Sequence, residues 1–446
     1  MTEANNTTRA RRQRRRPHRL AAGVAGWLWL AVVSTACTAP ASPTPAPDIG
    51  EPSADNGAAP PAAAPGTPAA PEAHRLVFWL PDAWLPERGN VPQVDGTALG
   101  AALEDFASAH PSQAIDVRVR PSGGAAGMLA LLTSTRAVAP ARLPDVAALP
   151  LDALPAVVAA GLVKPWAEVD AAAVVTGTFP FAAAQAVRDG SAWGIPAVVD
   201  VAHAVSRRAA VPARWPAGGD DGPMVWPAGG SSLADLAPTL ALYAASGGDL
   251  AELSAPEPTA VAATLAALAE GTGRGSIVQP ATGASPRAAW NTFVTRDMPL
   301  AAVSGGVFAP QQAKFPGLTW GPLPAPARPA PPVAWGWAFV ALSADPGAQR
   351  RALALADWLT DRRHVHWMVE AGYLPAQRVG WAARLAGAID PPPSGDYMAF
   401  LEEQLAAART GQATTAWTAT WAAATGDIVA GGTVDAALAR WRGTPP

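Results

Sequence analysis

Cysteine is almost missing from these 446 residues: Cys37 stands alone. One thiol cannot build an intramolecular disulfide framework or a Cys-x-x-Cys zinc site. Lysine is nearly as scarce, at positions 164 and 314 only. Lys164 follows Val163 and Lys314 follows Ala313, which excludes a phosphate loop ending in Gly-Lys-Ser/Thr. Charged residues make up 15% of the chain and the pI is near 6.1, which argues against a basic nucleic-acid binder. Against these shortages stand 48 prolines and 18 tryptophans. Lys and Tyr are depleted while Ala, Arg and Pro are enriched, so genome composition explains much of the tryptophan total. The positions of the tryptophans therefore carry more information than their number.

Residues 1–36 hold seven arginines and a single acid, Glu3. An uncharged run of 14 residues follows, from Leu20 to Val33, short of the roughly 20 that a transmembrane helix needs. A basic start, a short apolar core and then small residues form the pattern of a secretory signal. Cys37 closes Val-Val-Ser-Thr-Ala-Cys, which resembles a lipobox, where Cys becomes the lipidated first residue of the mature chain. Ser34 stands where that pattern usually has Leu, Val or Ile. The rival reading is ordinary signal cleavage nearby, leaving a free thiol. The expectation is export and anchoring to the outer face of the cell membrane through a lipidated Cys37. Without residues 1–36 the chain has 25 basic and 34 acidic residues, a net charge of −9. That charge suits neither nucleic acid nor an anionic lipid face, so attachment to a membrane falls to the acyl chains.

Residues 38–74 contain ten prolines among Ala, Ser, Thr and Asp, a composition that reads as an extended spacer. Structured sequence starts at Leu76-Val-Phe-Trp-Leu80, an apolar run fit for a buried strand. The periodicity then predicts a helix over 97–110, a strand over 115–119, a helix over 128–138, a strand over 145–149 and a helix over 154–161. This order implies an α/β fold with a largely parallel sheet covered by helices. A strand is expected over 196–205 and another over 333–340. Helices are expected over 234–246, 259–270, 347–371, 396–410, 414–429 and 433–442. The folded part exceeds the usual size of one core, so two lobes are expected.

Several segments in this order resemble the extracellular solute-binding proteins of ABC importers, in the group that includes maltodextrin- and other sugar-binding proteins. They are Pro144-Asp-Val146 with Ala160-Gly-Leu-Val-Lys-Pro-Trp166, then Trp193-Gly-Ile-Pro-Ala-Val-Val-Asp200, then Leu242-Tyr-Ala-Ala-Ser-Gly-Gly248. Residues 291–302, residues 318–324 with 334–346, and Glu370-Ala-Gly-Tyr-Leu-Pro375 complete the series. Ala204-Val-Ser-Arg-Arg208 and Arg296-Asp297 depart from the family's usual residues. The resemblance covers about residues 75–446. It implies a two-lobe, periplasmic-binding-protein-like fold with a hinge and an interlobe ligand cleft. The first lobe would hold residues 75–191 and 315–378, the second residues 192–314 and 379–446. Ligands of open α/β sheets lie outside strand ends, and hinge closure around the ligand is the implied motion.

Trp79 and Asp82 follow the first strand, where an aromatic face and a carboxylate suit a sugar's C–H patches and hydroxyls. Core packing of Trp79 and a turn role for Asp82 are the rivals. By resemblance Asp152 follows the third strand as a sugar-contacting carboxylate; a helix N-cap is the alternative. Asp200 matches an acidic ligand contact on the crossing strand, with a hinge hydrogen bond as its other reading. Trp335 and Trp337 flank Gly336 in one strand and point the same way. Trp417 and Trp421 are four apart on one helical face, and Trp417 matches a stacking aromatic of the family. Phe308 and Trp226 are further stacking candidates. For all of these aromatics, core packing stays open. His364 and His366 face different directions on a helix, which argues against a metal site. Gly271-Thr-Gly-Arg-Gly275 follows a helix instead of opening one, and Gly229-Gly-Ser-Ser232 lacks the second glycine of a nucleophile elbow.

The resemblance implies a non-enzymatic, monomeric receptor without cofactor. It would bind a sugar or oligosaccharide and pass it to permease subunits. Three alternatives remain. A secreted glycosidase would need paired carboxylates. A binder of another solute could take polyamine, iron or phosphate, though three tyrosines disfavour iron. A sensor lipoprotein would lack the transport role.

Overall fold

The computed structural model describes residues 75–443 apart from 87–92, 124–125, 216–221, 282 and 412–414. The signal, Cys37 and the proline-rich stretch lie outside the described residues.

The strands are β1 (Leu76–Pro81), β2 (Ile115–Arg120), β3 (Val146–Pro150), β4 (Val187–Arg188), β5 (Ser191–Ala192) and β6 (Ile195–Ser206). After them come β7 (Met224–Val225), β8 (Ile277–Val278), β9 (Leu300–Ser304), β10 (Thr319–Gly321), β11 (Ala334–Ala341) and β12 (Leu374–Pro375). The main sheet runs β2-β1-β3-β11-β6-β9-β7-β8. The short β4–β5 hairpin stands apart from it.

Strand β6 organises the molecule. It is 12 residues long and buried from Pro196 onward, a span of about 40 Å at ~3.3 Å per residue. Its run of Val and Ala fits a strand covered on both faces. Residues 195–201 pair with β11, and Leu374–Pro375 pairs with the same half. Residues 202–206 pair with β9, and residues 204–206 with β10. One strand thus belongs to two half-sheets that meet near Asp200 and Val201. Thr319–Gly321 lies within 315–378, which the sequence places in the first lobe, yet it pairs on the Ala204–Ser206 side. The chain rejoins the first half-sheet at Ala334.

The expected parallel order holds for β1, β2 and β3. Strands β11 and β6 run antiparallel to their neighbours, so the sheet is mixed. Many helices open on proline: Pro180, Pro258, Pro286 and Pro346 stand in the first turn, where the missing N–H costs nothing. Side-chain caps fix other helix starts, including Thr97 on Gly100 and Ser285 on Ala288. The helix expected over 347–371 is broken. Pro346–Thr360 ends at Asp361, whose extended backbone and Oδ1 bond to the Arg363 amide start a new turn before His366–Glu370. Gly271 and Gly273 lie inside helix Pro258–Gly273, not in a loop.

Candidate ligand-binding cleft

The cleft opens where strands of the first half-sheet end and helices of the second half begin. At the end of β1 the chain turns through Asp82–Trp84. Asp82 Oδ1 accepts the Ser122 amide at 2.9 Å and also the Ser122 hydroxyl, while Ser122 Oγ accepts the Ala83 amide at 3.1 Å. The loops after β1 and β2 are locked together by these bonds. Asp152 heads the loop after β3, in the single turn Leu151–Ala153. It does not cap helix Leu154–Ala159, whose start at Ala153 has no side-chain cap bond.

Strand β11 contributes Trp335 and Trp337. Gly336 between them has no room for a side chain: a Cβ there would meet the Val198 carbonyl oxygen at 2.3 Å and Leu151 at 2.9 Å. The tight approach on one face leaves the two indoles on the other. Trp337 Nε1 donates to the Tyr373 hydroxyl at 3.2 Å. From the opposite side come the starts of helices Leu233–Ala245, Pro286–Thr295 and Gly305–Gln312.

These parts enclose two adjoining compartments. The larger, about 770 Å³, is lined by Asp82, Asp200, Asp235, Arg287, Glu370 and Tyr373 among others. The smaller, about 490 Å³, is lined by Asp152, Leu129, Trp335, Trp337, Thr418 and Ala419 among others. Asp82, Ser232, Trp335 and Tyr373 border both.

Burial shapes the electrostatics. Desolvation pushes the Asp200 carboxyl up to about 7, against hydrogen bonds from the Ser304 side chain and the backbone of Gly306, Val201 and Gly305. Its Oδ1 accepts the Gly306 and Val201 amides, both at 2.8 Å, so it caps helix Gly305–Gln312 from the crossing strand. The Asp152 residue keeps some exposed area. The packing around its carboxyl still desolvates it and raises its pKa to about 7. Asp235 is also raised by desolvation, opposed by its capping box with Ser232. The Tyr373 phenol is raised first by burial, then by Asp200 and Asp235, while Trp337 and Arg287 pull it down.

Five of the residues expected from sequence meet in this cleft: Asp82, Asp152, Asp200, Trp335 and Trp337. Four aromatics do not line it. Trp79 is 4% exposed and packs in the core with the Arg120 guanidinium 4.8 Å above its ring. Trp226 is fully buried, stacked on Trp215 at 5.2 Å, with Nε1 donating to Thr239. Phe308 is fully buried between His203, Trp290 and Tyr397. Trp417 is buried against Trp421, and its chain neighbours Thr418 and Ala419 reach the smaller compartment instead. Sequence reading passed over Ser122, Asp235, Arg287 and Tyr373. Ser232-Leu-Ala-Asp235 carried a capping-box signal, and Tyr373 sat inside a quoted motif. His364 and His366 bond separate carbonyls, of Trp358 and Ala388. Among the described residues no group of His, Cys, Asp and Glu is placed to hold a metal.

No protein-family model matches this sequence, and no curated protein does. Solved structures match well. Maltose-bound MalE3 of T. maritima superposes with a TM-score of 0.61 at 16% identity, over 82% of this chain and 97% of that one. The GacH receptor of Streptomyces glaucescens, solved unliganded and with acarbose, gives 0.59 at 14% identity over 82% and 96%. The MalE domain of Bdellovibrio bacteriovorus bound to maltotriose gives 0.59 at 16% identity over 83% and 98%. This chain has the two-lobe solute-binding-protein fold. In such a fold the half-sheets joined by β6 are the lobes, and the two compartments lie where the lobes face each other.

Proposed function

We propose that this chain is an exported, lipid-anchored receptor that captures a carbohydrate in the cleft and delivers it to the permease subunits of an ABC importer. It performs no chemistry on the ligand, needs no cofactor and works as a monomer. One observation carries the reading: Trp335, Trp337 and Tyr373 stand beside Asp82 and Asp152 in a cavity at the ends of β1, β3 and β11. Aromatic faces cover the apolar C–H patches of a sugar ring, and carboxylates accept its hydroxyl protons. Three solved structures similar to this chain were determined with maltose, maltotriose or acarbose, which supports the same class of ligand. In this reading Asp200 serves as the hinge hydrogen-bonding residue as well as a wall of the cavity. The lobes are residues 75–191 with 315–378 and residues 192–314 with 379–446, with the 319–321 strand added to the second.

A thermal-shift panel of mono- and oligosaccharides tests the proposal. A ligand that binds only the folded state stabilises it by about 2.7 kcal/mol at a hundredfold excess over Kd. At least one sugar is expected to raise Tm by several degrees and to quench tryptophan fluorescence through Trp335 and Trp337. If an amino acid or polyamine shifts the protein and no sugar does, the carbohydrate assignment fails.

A further inference from the structure

A further cavity lies apart from the cleft and shares no lining residue with it. It is an open groove of about 640 Å³ at the end of helix Gly305–Gln312, the helix whose Val307 borders the cleft. Trp320 of β10 supplies one wall, and Leu318, Pro316 and Pro392 are apolar neighbours. Gln312 and Asp396 supply polar groups. Among the described lining residues none is basic, which disfavours a phosphate or carboxylate ligand.

Two of these side chains are fixed before any ligand arrives. Trp320 is half-buried, and its ring meets Tyr397 edge-on, with centroids 5.1 Å apart and planes at 70°. Tyr397 is fully buried and hydrogen-bonded to His203 of β6 at 2.7 Å, so the indole rests on an anchored ring. Gln312 is 6% exposed, and its Oε1 accepts the Ser394 amide at 2.8 Å, at the start of helix Gly395–Ala407. That bond needs an oxygen, so it orients the side-chain amide and leaves Nε2 as a donor. Among the described residues nothing accepts from this nitrogen. Unlike the Gln279 amide nitrogen it is not sealed in the interior, and Gln312 lines the groove. Asp396 is exposed and takes part in no salt bridge among the described residues, so its carboxylate is an acceptor on the same groove.

We infer that this groove is a second carbohydrate site, which takes one ring of a neutral oligosaccharide outside the cleft. The C–H face of the ring lies on Trp320. One hydroxyl oxygen accepts from Gln312 Nε2, and another hydroxyl donates to Asp396. A proline-rich peptide would cover the same apolar walls, but its prolines have no N–H for Asp396. A sugar hydroxyl both donates and accepts. The anchored indole and the oriented amide lower the ordering cost of binding. The inference does not depend on what the cleft binds.

The test is isothermal titration calorimetry on the purified full chain with maltohexaose, cellohexaose and mannohexaose, and with decaproline as the rival ligand. At least one hexasaccharide is expected to show a weak phase, at least about tenfold weaker than binding in an enclosed pocket, because the open groove covers one face of a ring where a pocket covers most of a ligand. Trp320→Ala is expected to weaken that phase at least about fivefold through loss of the ring face. Asp396→Ala is expected to weaken it severalfold; this side chain is exposed and unpaired, so the variant tests the site even if Trp320→Ala loosens the contact with Tyr397. Any tighter phase, from the cleft, is expected to stay within about twofold in both variants, since separate sites act independently. A weak phase that neither variant changes, or no weak phase with any of the three sugars, overturns the groove site and leaves the cleft reading as it was. Decaproline binding that Trp320→Ala removes, with no weak sugar phase, assigns the groove to a peptide and overturns it as well. A weak phase that both variants reduce, with no tight phase from any sugar, supports the groove site and counts against the cleft reading alone.

Discussion

Asp200 is placed where β6 passes from one half-sheet to the other, opposite Trp335. The residue is 1% exposed, and its carboxyl is raised to about 7 by desolvation. An aspartate in an unfolded chain titrates near 3.9. Between those values the folded protein holds a proton that the unfolded chain has released. Stability from this group is therefore complete below the unfolded value and is lost as pH rises through about 7. Asp200→Asn keeps an oxygen for the Gly306 and Val201 amides and cannot ionise. Thermal melts at pH 4.5, 6 and 8 are expected to show the wild type losing ground to the variant across the series. A difference that stays constant would mean that Asp200 titrates as an ordinary exposed acid. The same residue shows what sequence could convey. An acid between Val199 and Val201 announces a special role, and the geometry shows its Oδ1 accepting the Gly306 and Val201 amides. Trp226 and Phe308 were harder. A tryptophan in a Pro/Gly-rich stretch gives no sign that Trp215 will stack on it, because that partner comes from a separate loop. Arg287 and Ser122 gave no chemical signal, since each gains meaning only from residues distant in the sequence, as Ser122 does from Asp82.

Among the elements, local rules set most boundaries well. The 76–80, 115–119 and 145–149 runs became β1, β2 and β3 within a residue or two, and the 128–138 helix is as expected. Two-residue strands such as β7 and β12 escaped, because a pair of apolar residues has no period. The helix expected over 347–371 broke because a side-chain bond from Asp361 outcompetes the helical path, a choice invisible in hydrophobic spacing. Helix Gly305–Gln312 shows why a glycine pair matters. A Cβ on Gly306 would stand 2.2 Å from the Gly372 carbonyl oxygen and 2.7 Å from the Tyr373 Cα. Both obstacles are backbone, so no rotamer change relieves them. Gly306→Ala is expected to push the 372–373 segment away, at a cost of about 1–3 kcal/mol as overpacking does. Denaturant melts should show a lower midpoint with an unchanged slope. Tyr373 would move with its segment, so sugar affinity should fall in the same variant. Unaltered stability would show that the helix start can back away freely.

For the molecule as a whole, the tryptophans now divide by task. Of the sixteen among the described residues, twelve are buried, and of those Trp335 and Trp337 line the larger or smaller compartment; Trp320, half-buried, lines a separate surface groove. The excess therefore builds cores first, and two of its members face the cleft. That a two-lobe fold was legible follows from the order of its motifs along the chain. The cleft was legible only in part, because five of its walls come from separate segments. The proposed function places the molecule at a membrane, which raises the question of its anchor. No helix among the described residues is long and apolar enough to cross one. The chain beyond residue 36 carries 34 acids against 25 basic residues, so an anionic lipid surface repels it. On that proposal, attachment falls to Cys37 or to the uncharged run at 20–33. The 14 residues of that run fall short of a span, whereas acyl chains contribute about 0.8 kcal/mol for each buried CH2. Cys37→Ser is thus expected to move the protein from the membrane fraction to the soluble fraction while sugar binding is retained. Fractionation followed by detection of the chain reads the outcome directly. Unchanged partitioning of the variant would assign the anchor to an uncleaved segment at 20–33 and would remove the lipid from the proposal, leaving the cleft and its ligand untouched.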